Sequence, residues 1–139
     1  MSTDARVVRS VAVTTADVVA AYEARERSSR PAVLRVTPPF SGRMRARLHV
    51  ADGDVETDAI HIDPATLVAE GEVPAYPSPD DTEDELRADP DAPFSVERHR
   101  ERHVEAVEAW REAVAEGVVD RVELPTDEGT HAVEVKRLG

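Results

Sequence analysis

A Val-rich run over Val7–Val13, an apolar stripe at Val18, Val19 and Tyr22, and a β-branched run over Ala32–Thr37 predict strand, helix and strand in turn. Thr14 is placed to cap the helix, with Asp17 in its first turn. Glu23/Arg27 and Glu26/Arg30 form i,i+4 pairs on its solvated side. Ser28-Ser29-Arg30-Pro31 ends it, because the residue before a proline is pushed out of the helical region. After the stiff turn Pro38-Pro39-Phe40-Ser41-Gly42, polar and apolar residues alternate from Arg43 to Val50, which predicts one strand with a basic face.

Asp52-Gly53-Asp54 predicts a hairpin from that strand to another over Val55–Ile62. A two-residue turn would pair Arg47 with Asp58 and His49 with Glu56, but would put Ile60 and Ile62 on the Arg face. A three-residue loop shifts the register by one, sets Ile60 and Ile62 beside Ala46 and Met44, and leaves Arg45 near His61. The apolar pattern favours the second. Asp63-Pro64 then starts a short helical stretch through Ala69.

Residues 70–91 hold nine acids against Arg87 alone, with prolines at 74, 77, 79 and 90. Such a composition buries too little apolar surface to fold alone, so 70–93 is expected to be a mobile acidic Pro-rich loop. From Ser95 a long helix is predicted to about Glu116, stopped by Gly117, with Val96, His99, His103, Val107, Trp110 and Val114 on one face. Val118–Leu124 and His131–Leu138 predict a closing hairpin across Thr126-Asp127-Glu128-Gly129. The order βαβββ, acidic loop, αββ predicts a single α+β domain over 1–139, with two main helices on one face of a largely antiparallel sheet.

Charge changes this picture. Residues 1–50 carry nine Arg against four acids, a net of +5, while residues 51–139 carry eight basic residues against 25 acids, a net of −17. The basic residues are 16 Arg and the single Lys136. This chain resembles small, acidic, salt-adapted cytoplasmic proteins of haloarchaea. The likeness is one of composition along the whole chain and rests on no family motif, so no functional residue is carried over from it. In molar salt the Debye length is roughly 3 Å, so surface carboxylates barely repel one another and serve hydration. Against that background a basic strand departs from the chain's own style.

Arg43, Arg45, Arg47 and His49 fall on one face of a strand, about 13–14 Å from Arg43 to Arg47 in two-residue steps of ~6.6–6.8 Å. That spacing suits successive phosphates of a single strand, and Phe40 in the adjoining turn would add a stacking surface. These four residues and Phe40 are the candidate polyanion-binding site. The competing reading is that the guanidiniums are already paired with carboxylates, as surface ion pairs are common. The acidic loop offers a third arrangement, lying across the Arg strip as an internal mimic of the ligand.

Little else carries chemistry. His99 and His103 are one helical turn apart but lack the Glu of a metalloprotease helix, so packing is the expected role and no metal is expected. With no Cys, thiolate chemistry and disulfides are excluded. No phosphate loop, dinucleotide fingerprint or nucleophile elbow is present, and no cofactor is expected. An enzyme would need a pocket collecting His61, His49 and a carboxylate. The expectation is therefore a non-enzymatic, cytoplasmic protein without a membrane span, whose partner is nucleic acid or another polyanion. The alternative is a protein–protein module or homodimer using the long helix, with an exposed apolar patch near Trp110 or Val107, or a sheet edge.

Overall fold

A computed structural model describes residues 3–28, 31–50, 58–71 and 73–138. The chain folds as α+β, its described residues forming two sheets and three α-helices. Strand β1 (Ser10–Val13) leads into helix α1 (Thr15–Arg27), where the Thr14 hydroxyl accepts from the Asp17 N–H at 3.1 Å. Strand β2 (Ala32–Val36) follows. The predicted Arg strand is split into β3 (Arg43–Arg45) and β4 (Arg47–Val50). Strand β5 (Ile60–Ile62), helices α2 (Pro79–Arg87) and α3 (Val96–Glu116), and the hairpin β6 (Arg121–Thr126) and β7 (Gly129–Arg137) complete the order.

The split at Ala46 decides the architecture. β3 joins a four-stranded sheet in the order β3-β1-β7-β6, and β4 joins a three-stranded sheet in the order β4-β2-β5. Ala46 is fully buried between them and its N–H donates to the Ala12 carbonyl at 2.9 Å. In the larger sheet β1 runs parallel to both neighbours, β3 and β7, while β6 and β7 are antiparallel. The smaller sheet is antiparallel throughout.

The register corrects the predicted hairpin. β4 and β5 do not pair with each other, because β2 lies between them and takes one on each edge. Arg45 therefore belongs to a different sheet from His61. The turn at Asp52-Gly53-Asp54 lies outside the described residues. What survives of the apolar argument is that Ile60 and Ile62 are buried, on the face opposite His61.

One contiguous core gathers Val11, Val13, Val133 and Val135 of the larger sheet, Leu34, Val36 and Ile62 of the smaller, and Trp110 and Val114 of α3. With few aromatics, Val supplies most of this core, each side chain contributing about 1.5–3 kcal/mol when fully buried. α1 packs on β2, β4 and α3. Two backbone bonds tie the sheet regions together, Ala69 N–H to Gly117 O at 2.7 Å and Val119 N–H to Leu67 O at 2.9 Å.

The segment 70–93, expected to be an extended loop, contains α2. Ser78 caps it, its hydroxyl accepting from the Asp80 and Asp81 N–H groups. Pro79 opens the helix, the acids sit in the first turn and Arg87 in the last. Thr82 and Leu86 are buried on the side packed against α3. Among the described residues no helix is long and apolar enough to cross a membrane.

Candidate polyanion-binding site

Arg43, Arg45 and Arg47 are all exposed, and the alternation that placed them outward runs through the buried Ala46 to Arg47, then breaks where Leu48 is exposed and His49 half-buried. β3 and β4 are both edge strands, so the basic segment forms a rim joining the two sheets. Six other arginines (Arg6, Arg25, Arg87, Arg98, Arg102 and Arg111) make ion pairs. Among the described residues no carboxylate lies within ion-pair distance of Arg43, Arg45 or Arg47. Arg9, Arg27, Arg35, Arg100, Arg121 and Arg137 also lack an ion pair among the described residues, so the rim is set apart by its grouping on two adjoining edge strands. Asp17 comes near the rim only to accept from the Leu48 N–H at 3.3 Å.

Phe40 does not join that surface. Its ring is 1% exposed and belongs to the core, because its turn folds inward and burial outweighs an exposed stacking role. His49 is half-buried on β4, one strand away from Val33 of β2.

The register brings in a residue the sequence analysis passed over. β2 is apolar except for Arg35, which lies directly opposite Arg47 on one side and His61 on the other. Directly opposed residues share a sheet face, so Arg47, Arg35 and His61 form one row, with His49 beside it. Arg35 Nη1 sits 3.4 Å from both ring nitrogens of His49, and the His49 and His61 rings are 5.6 Å apart. Arg35 Nε is closed off from solvent and has no hydrogen-bond partner among the described residues.

The larger sheet adds further cations. Its pairing sets Arg43, Ser10, Glu134 and Arg121 in one row across the sheet, and Arg45, Ala12 and Lys136 in the next. Arg43, Arg45, Lys136 and Arg121 are exposed, with the half-buried Ser10 and Ala12 between them. Glu134 pairs with Lys136 at 3.1 Å and partly offsets this face.

Among the described residues no carboxylate of the acidic segment pairs with the rim. Glu85 pairs with Arg102, Asp89 with Arg98 and Glu83 with Arg87, so these carboxylates serve α2, α3 and the turn between them. Arg87 also stacks 4.0 Å over the Phe94 ring. The two helix histidines hold α2 in place: His99 Nε2 lies 2.8 Å from the Pro79 carbonyl, and His103 Nδ1 lies 3.2 Å from the Thr82 hydroxyl. Among the described residues no group of three or more His, Asp or Glu side chains is placed to hold a metal ion.

Trp110 is 2% exposed, donates from Nε1 to the Pro74 carbonyl at 3.0 Å, and meets Tyr22 and Tyr76 edge-on. Val107 is buried as well, while Val104, one turn away on α3, is exposed. Beside Trp110, Glu23 is buried on α1. It accepts from Arg111 Nε and Nη2 at 2.8 and 3.0 Å and from the Tyr76 hydroxyl at 2.7 Å. The Arg111 guanidinium holds the Glu23 carboxyl below its usual range, against the opposing effect of burial. Burial, then Glu23, pushes the Tyr76 hydroxyl up.

One cavity of about 730 Å³ bears on the enzyme alternative. It is lined by His61, Asp58, Asp127 and Glu128, with Phe40 and Arg6 among the other walls, and His49 is not part of it. Arg6 is occupied there by Asp4 at 3.0 Å and Glu128 at 2.8 Å.

The fold and site thus define an α+β protein with a cationic rim between two sheets on an acidic body. Residues 1–139 match the model of the family described as a domain of unknown function, DUF8009, and the chain belongs to that family. No curated protein and no solved structure matches it.

Proposed function

We propose that this protein is a non-enzymatic binding protein whose rim of Arg43, Arg45 and Arg47, with His49 at its end, contacts nucleic acid or another polyanion. The observation that supports this reading most is the exposure, on two adjoining edge strands, of three guanidiniums without carboxylate partners among the described residues. Planar guanidiniums bind phosphate oxygens through two parallel N–H donors, and three along an extended strand match a regularly charged polymer. The burial of Phe40 removes base stacking from this reading, which leaves contacts to the phosphate backbone. Such contacts position a strand without selecting its sequence.

On the same reading the acidic body is an adaptation to a cytoplasm of molar salt, where its charge keeps the protein hydrated but is screened from the ligand. The test is retention on immobilised heparin or RNA. Wild-type protein is expected to be retained and the variant R43S/R45S/R47S to pass through with its circular dichroism unchanged. Equal retention of the two would remove the reading.

A further inference from the structure

The row across the smaller sheet is electrostatically unfavourable as it stands. Arg35 and Arg47 are direct cross-strand neighbours, a placement in which like charges repel. On its other side Arg35 faces His61, and His49 lies against its Nη1. No ion pair to Arg35 or Arg47 relieves this among the described residues. The His49 contact engages Arg35 through Nη1 and supplies no compensating charge. At 3.4 Å to each ring nitrogen these are long hydrogen bonds shared between two positions, and a neutral imidazole brings no negative charge to the guanidinium. Arg35 Nε is meanwhile buried without a partner. β2 otherwise holds only apolar, buried residues, so a cation there needs a compensating charge.

We propose that Arg35 and Arg47, flanked by His49 and His61, form a subsite for one phosphate group. A tetrahedral oxyanion between the two guanidiniums would turn their repulsion into shared attraction, each fork donating to different oxygens. Arg35 is the half-buried anchor, and the exposed Arg47 links the subsite to the rim. The inference rests on the polyanion reading through Arg47. It adds that one phosphate, at the end of the rim nearest the smaller sheet, is held more firmly than the rest. A free phosphate and a phosphate within a nucleic acid present the same group, and the experiment separates them.

The test follows the Arg Nε–Hε and His ring resonances of the full chain by NMR during titration with inorganic phosphate at constant potassium chloride. Saturable shifts are expected at Arg35, His49 and His61. Arg35→Gln should weaken phosphate affinity about tenfold or more. Arg35→Lys, which keeps the charge but loses the fork, should weaken it too, and decides the matter if the Gln variant fails to fold. Arg100→Ser, at an exposed position of α3 away from the rim, should leave phosphate affinity unchanged. No saturable shift at Arg35, or wild-type affinity in either Arg35 variant, would overturn the subsite. A parallel titration with a single-stranded oligonucleotide distinguishes the sources. If the same resonances shift, the subsite holds a phosphate of the polymer; if only inorganic phosphate moves them, it holds a free phosphate. Loss of RNA retention in R43S/R45S/R47S alongside a silent phosphate titration would leave the rim standing and remove the subsite alone.

Discussion

At the scale of single residues, charge is either locked or left open. Glu23 is the locked case, with Arg111 and Tyr76 donating to a buried carboxylate. Glu23→Ala removes the acceptor for both donors and is expected to cost about 1–3 kcal/mol, read from urea unfolding. The half-exposed Arg111 can regain water, which keeps the loss toward the lower end. The pH sign follows from the lowered carboxyl. Folding depresses the Glu23 pKa, so its contribution is complete above the unfolded Glu value of about 4.3 and is lost as pH falls through the folded value. Wild-type stability should therefore decline more steeply than that of Glu23→Gln below about pH 4. Equal slopes would contradict the account of this carboxylate. Arg35 is the open case. Sequence could not single it out, because one Arg in the run Ala32–Thr37 looks like a chance polar residue. Its significance appears only when the register sets Arg47 and His61 on either side.

At the scale of elements, local chemistry was legible where it is self-contained. Thr14, Ser95 and Gly117 bound α1 and α3 where capping rules put them, since a cap needs only neighbours three residues away. α2 shows the opposite outcome. Ser78-Pro79-Asp80-Asp81 is a sound start signal, yet the acid and proline content of 70–93 outweighed it. The compensating contacts come from His99 and His103, about twenty residues further along. Ser78→Ala should cost α2 about 1 kcal/mol and speed amide exchange over 79–87, while 96–116 keeps its protection. Uniform loss of protection in both helices would show that α2 is not a separate unit. The strand 43–50 was legible as extended and alternating, but not as two strands. The break at Ala46 is enforced by its burial and its bond to Ala12, and neither leaves a mark in the alternation. The hairpin expected at Asp52-Gly53-Asp54 missed the pairing for a similar reason: β2 competes for both edges, and that competition is non-local.

For the whole molecule, the separation of charge is the central feature. Acids around α2 neutralise their own neighbourhood, as Glu85 with Arg102 and Asp89 with Arg98. Glu128 and Asp63 reach Arg6 and Arg25 of the basic half, and among the described residues no acid pairs with the rim. The charge split along the sequence is therefore partly bridged in space, and among the described residues it survives at the rim. Polyanion affinity should fall with salt, because each phosphate neutralised releases counterions. Three arginines contacting a single strand account for a slope of log K against log salt of about −2, and that part should vanish when they are removed.

The most direct measurement is the affinity of a fluorescently labelled single-stranded RNA for wild-type protein and for R43S/R45S/R47S, by anisotropy across a series of potassium chloride concentrations reaching the molar range. The rim predicts measurable wild-type binding whose salt slope drops by about 2 in the variant, together with a loss of affinity at every concentration. The same affinity and the same slope in both proteins would contradict it.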